Sequence, residues 1–163
     1  MIHVGFARQP AVDPQPGQSF DRNDMKLSVR SDYASRAVLE LARVYGNGHS
    51  RKVSELAETS GLPANYLVQI LIDLKGKGIV RSVRGRHGGY ILAKAPDELT
   101  FGDVLRAMDG VLIDSPAISD GRCPEELRSV WRQLRDKTQS SADSVKFSQI
   151  LAMSGTNGEM YFI

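Results

Sequence analysis

The chain has 163 residues, 41% of them hydrophobic and 25% charged, with one cysteine and a formal net charge of +2. That length suits one ordinary domain, or a small domain with an oligomerisation arm. No apolar run approaches the ~20 residues of a membrane span, and the N-terminus lacks the basic-then-apolar order of a secretory signal. A single cysteine cannot form an internal disulfide, which points to a reducing cytoplasm.

Residues 1–24 hold three prolines and no sustained period, so they read as a disordered extension. Met25 opens the first clear element and is a second candidate start of translation. In "MKLSVRSDYASRAVLELA" and the residues after it, Tyr33, Ala34, Ala37, Val38, Leu41, Ala42 and Tyr45 recur at helical spacing. The glycines of Gly46–Ser50 end that helix. Val53, Leu56 and Ala57 give the apolar side of a short helix with Gly61 as its cap. Tyr66, Leu67, Ile70, Leu71 and Leu74 then form a second stripe, in a helix that begins at Ala64. Two short helices joined by a glycine-containing turn are a helix-turn-helix signature, although a purely structural αα-hairpin shows the same pattern.

The next stretch, "RSVRGRHGGYILAK", tips the balance. Ile79, Val80 and Val83 precede a glycine-rich reversal, and Tyr90, Ile91 and Leu92 follow it. This predicts a β-hairpin whose tip carries Arg84, Arg86 and His87. Three helices followed by a basic two-stranded ribbon describe a winged helix spanning 25–95. Charge follows the same division: residues 25–95 carry 12 Lys/Arg against 5 acids, whereas residues 96–163 carry 7 against 11. A basic half on an otherwise near-neutral chain points to a polyanionic partner.

A linker, residues 93–98, leads to "LTFGDVLRAMDG". Here Thr100 is the candidate N-cap, Asp103 the partner in a capping box, and Leu99 a staple onto Val104. The stretch 111–123 has no period and reads as a loop. Pro124 opens a long helix in which Leu127, Trp131 and Leu134 are spaced like a coiled-coil seam, and pairing with a second copy is the favoured reading. Phe147, Ile150, Leu151 and Met153 are expected to close that arm, residues 96–153 forming one unit and residues 154–163 a frayed tail. The fold class expected is mainly α with a small β-hairpin.

Enzymatic motifs are lacking: there is no HExxH, no GxSxG and no P-loop, and the three histidines fall in a tail and two loops. Within the second helix of the helix-turn-helix, Asn65 and Gln69 share a face and suit bidentate contacts to adenine. The helix starts at Ala64; Tyr66 falls beside the apolar stripe, where burial with its hydroxyl on a phosphate and contact with a base both stand as readings, and Val68 stands off the stripe, where it either meets a thymine methyl group or loosens specificity. Lys26, Ser28 and Arg30, at the start of the first helix, are candidate phosphate contacts. Arg84 and Arg86 suit a narrow minor groove, with Gly85, Gly88 and Gly89 allowing close backbone approach.

Taken as blocks, "MKLSVRSDYASRAVLELA", "SELAETSGLPANYLVQILIDLKGKGIVRSVRGRHGGYILA", "LTFGDVLRAMDG" and "VWRQL" resemble the Rrf-two type winged-helix transcription factors of bacteria over residues 25–153. The resemblance is most specific in "SVRGRHGGYILA", since the family's wing reads Arg-Gly, two variable residues, then Gly-Gly-Tyr. It implies a homodimer that binds a palindromic operator on double-stranded DNA, usually as a repressor. Many members sense iron–sulfur clusters, nitric oxide or cysteine status through the loop before the dimer helix. Cluster-bearing relatives place three cysteines in that loop, and this chain offers only Cys123. The positions that supply further ligands in some branches are Asp32, Arg36 and Arg128, and a guanidinium cannot ligate iron. No cofactor is therefore expected, and an effector, small molecule or protein, stays unassigned. For Cys123 two readings stand: a half-buried small apolar residue, or a redox-responsive thiol favoured by the following helix and by Arg122. A winged-helix protein-interaction module is the remaining alternative to DNA binding.

Overall fold

The computed structural model describes residues 27–156, so the extension 1–24, Lys26 and residues 157–163 lie outside the described residues. Helix α1 (Val29–Arg43) begins at Ser28, whose Oγ accepts from the Ser31 amide at 3.2 Å. Its buried face is Ala34, Ala37, Val38, Leu41 and Ala42, as the spacing predicts. Tyr45 departs from that stripe: the helix stops at Arg43, and Tyr45 is half exposed beyond it.

Helix α2 (Val53–Ser60) closes on Gly61, whose φ of +68° lets its amide reach the Ala57 and Glu58 carbonyls. Pro63 then precedes α3 (Ala64–Gly76), which buries Leu67, Ile70, Leu71 and Leu74 against α1 and α2. Strands β1 (Val80–Val83) and β2 (Gly89–Leu92) pair antiparallel, Val80 opposite Leu92 and Val83 opposite Gly89. Val80 and Leu92 anchor the ribbon in the core, while the residues nearer its tip stand out from it.

The sheet has a third member that the sequence does not announce. Arg51 pairs with Tyr90 through two backbone hydrogen bonds of 2.9 and 2.8 Å, tying the start of α2 to β2, which thus lies between β1 and Arg51. This contact sets the residue at 89, since a methyl group there would overlap the Arg51 carbonyl. At Gly88 the same test meets the Val83 carbonyl oxygen at 2.6 Å. Glycine at these two positions is therefore required by the ribbon's own packing. Gly85, with φ of +111° and open space around it, is the one that shapes the tip.

Helix α4 (Phe101–Asp109) starts with the expected capping box: Thr100 Oγ1 accepts from the Asp103 amide at 3.1 Å, and the Asp103 carboxylate accepts from the Thr100 amide at 3.0 Å. Leu99 and Val104 are both fully buried, as a staple requires. The following loop contains one turn of 3-10 helix at Pro116–Ile118, and Ile113 tucks into the protein. Helix α5 (Glu125–Asp143) has no buried residue at all.

Helix α6 (Phe147–Thr156) changes the reading of the C-terminal half. Rather than closing a dimer arm, it folds back against α1. Phe147 is 1% exposed within the head's core, and Ile150 and Leu151 pack beside it. The reversal is held by backbone bonds from Phe101 to Val145 (2.7 Å) and from Phe147 to Leu99 (3.0 Å). Met153 points away and is exposed, and residues 154–156 are still helical.

Candidate nucleic-acid interface

At about 100° per residue, the face of α3 opposite its buried stripe carries Asn65, Gln69, Ile72 and Gly76. Val68 and Ile72 are exposed there, at 42% and 50%. Tyr66, expected beside the stripe, is 61% exposed. Ala64 opens the helix on the exposed side.

Two polar contacts place this face between neighbours. On one flank Arg30 of α1 donates to the Asp73 carboxylate at 2.6 Å, and Gln69 Nε2 donates to the other carboxylate oxygen at 3.1 Å. On the other flank Lys75 Nζ donates to Ser82 Oγ of the ribbon at 2.9 Å. The outward face of α3 thus lies between the start of α1 and the hairpin. Ile72, Asp73 and Lys75 belong to this surface and were not singled out from the sequence. Counting from Asn65 in steps of three and four would have reached all three.

At the hairpin, Arg84, Arg86 and His87 occupy an exposed tip. The His87 carbonyl accepts from Ser50 Oγ at 2.5 Å, and Gly88 closes a turn onto the Gly85 carbonyl at 2.9 Å, so the tip's backbone is fixed while its side chains are free. Among the described residues there are twelve arginines, and nine of them lie within ion-pair distance of a carboxylate. The three without such a partner are Arg81, Arg84 and Arg86, all in the ribbon. Exposed ion pairs add little stability, but they do cancel charge locally. Positive charge is therefore left unbalanced at the wing.

Ser28 stands differently from its expected role as a phosphate contact. Its Oγ donates to the Asp109 carboxylate at 2.5 Å, as does Ser31 Oγ at 2.6 Å, and its amide donates at 3.0 Å. The hydroxyl proton is thus directed at α4, not outward. Burial pushes the Asp109 carboxyl up, but these three donors and the Arg30 charge outweigh it and hold the pKa below the ordinary 3.8. Because the folded value is the lower one, the stabilisation is present above the unfolded-state value and lost as pH falls through the folded one. Asp109→Asn is expected to lower the unfolding free energy near neutrality by about 0.5–1 kcal/mol, discounted for solvent screening at an exposed site. Urea midpoints measured against pH should show the gap to the parent closing in acid.

The candidate pairing residues lie on α5. Leu127 and Leu134 are 50% and 41% exposed, Trp131 is half-buried, and Val130, which the sequence reading passed over, joins them at 58%. Helix α5 touches α4 and the 3-10 turn, leaving this stripe outward.

Cys123 sits just before α5, half-buried, with its Sγ 3.6 Å from the Pro124 carbonyl oxygen. Arg122 points its guanidinium at Asp120, 3.4 Å away, and Arg128 donates to the Cys123 carbonyl at 2.8 Å. Asp32 is paired with Arg36 at 2.8 Å. Among the described residues no three His, Cys, Asp or Glu side chains come together. With one thiol per chain and arginines at two of the remaining positions, the donor set does not fit an iron–sulfur cluster.

Comparison with known proteins agrees with this geometry. The HTH-type transcriptional regulator CymR of Bacillus subtilis (strain 168) is 30% identical over 137 residues, 84% of this chain and 97% of that protein. The solved structure of CymR, described as the global cysteine regulator of B. subtilis, superposes with a TM-score of 0.69 at 29% identity, covering 78% of this chain and 97% of that one. T. potens IscR gives a TM-score of 0.68 at 30% identity, covering 85% and 93%. The family profile described as "Rrf2: Iron-dependent Transcriptional regulator" matches residues 27–153. A mainly helical winged helix-turn-helix with these relatives is a transcriptional regulator, and the chain belongs to the Rrf2 family.

Proposed function

We propose that the chain acts as a homodimer, joined along α5, that binds a palindromic operator and represses transcription without an iron–sulfur cluster. In this reading α3 enters the major groove of each half-site, presenting Asn65, Tyr66, Gln69 and Ile72. Arg84 and Arg86 of each wing reach the flanking minor groove, and Arg30 and Lys26 meet phosphates. The observation that carries it is at the ribbon: among the described residues, the three arginines lacking a carboxylate partner lie there, beside the open face of α3. Electrostatics of that kind attracts a polyanion and steers its approach. The chain has no assigned catalytic residue, and its place of action is the cytoplasm.

The test is an electrophoretic shift on the DNA upstream of its own gene at two salt concentrations, run alongside sedimentation of the free protein. A dimer whose shift weakens steeply with salt is expected. A single chain in solution that leaves DNA unshifted at low salt, yet captures a protein through the same face, would replace this reading with the interaction module.

A further inference from the structure

Asp73 is the only acidic residue in α3, and it stands on the surface proposed to face DNA. A carboxylate there repels phosphates, so its presence asks for a reason. Its side chain, 28% exposed, is shared by two groups: Arg30 Nη2 at 2.6 Å on one oxygen and Gln69 Nε2 at 3.1 Å on the other.

An ionised carboxylate only accepts hydrogen bonds, so the amide nitrogen of Gln69, never its oxygen, must turn toward Asp73. The Gln69 carbonyl oxygen is then left for the groove. In the major groove an acceptor finds a donor on adenine N6 or cytosine N4, and meets another acceptor at guanine O6 or thymine O4. A free glutamine can rotate its amide to suit either kind of edge; a tethered one cannot. The same carboxylate draws Arg30 onto α3 and cancels part of the charge it would offer a phosphate.

We propose that Asp73 is a positioning residue: it makes Gln69 an acceptor-first reader of one base pair per half-site and restrains Arg30, without touching a base itself. This rests on the reading that α3 lies in the major groove.

The experiment is selection from a random-sequence duplex pool with the full chain and its Asp73→Ala, Asp73→Asn and Gln69→Ala variants, with salt slopes measured on the enriched duplex. The parent should enrich a two-fold motif with an amine-bearing base at one position of each half-site. Asp73→Ala should enrich the same motif with that position about tenfold less discriminated, and Gln69→Ala should lose the same position. Freed from its carboxylate, Arg30 should steepen the salt slope of Asp73→Ala by about one. Asp73→Asn offers Gln69 a donor as well as an acceptor and carries no charge, so it should relax the base choice in part while steepening the slope. Unchanged base choice and slope in Asp73→Ala would overturn the proposal, as would a lowered unfolding midpoint with no change in either. If the parent enriches no motif, the DNA-binding reading itself falls; a parental motif indifferent to Asp73 sinks this inference alone.

Discussion

Replacing both Arg84 and Arg86 with alanine is expected to weaken operator binding on the order of 100-fold at moderate salt, since each removes a charge-assisted contact in a confined groove. The diagnostic quantity is the salt slope. Each lost phosphate contact lowers the log–log slope by about one, so Arg84→Ala alone should show half of the double variant's change. Neither side chain has a carboxylate partner or a packing role, and the tip's backbone is fixed by Ser50 and by the Gly88 turn, so the fold should be untouched. Titrations at three or four salt concentrations, with circular dichroism as the control, provide the check. Unchanged slope and affinity would remove the wing from the interface.

The second large effect concerns α5. If the chain pairs along α5 as proposed, Trp131→Ala combined with Leu134→Glu should leave it a monomer and reduce operator affinity by about 10²–10⁴, the usual gain when a second site binds intramolecularly. None of the helix's 19 residues is buried, yet Leu127, Val130 and Leu134 leave a continuous apolar stripe in solvent. Such a stripe on a helix about 28 Å long asks for a covering surface. Since the head's core runs through α1 to α4 and α6, its unfolding transition should survive in the monomer. A double variant that still sediments as a dimer would place the contact elsewhere.

Much of the head was legible in the sequence because its signals are local. The 3.6-residue recurrence of Ala34, Val38 and Leu41 marked one helix, Gly61 marked a chain reversal, and Thr100 with Asp103 marked a cap three residues wide. What escaped depends on residues far apart in the chain. The pairing of Arg51 with Tyr90 and the grip of Ser28 on Asp109, 81 positions away, have no periodic trace. Tyr66 stayed open between burial and exposure because a residue at the edge of an apolar stripe satisfies the period whether or not anything covers it. Phe147, Ile150 and Leu151 showed an apolar face correctly, but a face does not say what it meets, and here it met α1 rather than a second copy. Of the outward face of α3, Asn65 and Gln69 followed from counting around the helix. The tie of Gln69 to Asp73 is a four-residue contact that the sequence allows without requiring.

Helix α4 carries a mechanical consequence. At one end Arg106 bridges Asp103 and Asp143, the last residue of α5, and the absence of a side chain at Gly102 lets Asp143 seat directly on the helix. At the other end Asp109 grips the first turn of α1. Nine residues, about 13 Å, therefore act as a strut clamped at both extremities. Torque applied to the long rod arrives at the leading edge of α1 with no slack loop in between to absorb it.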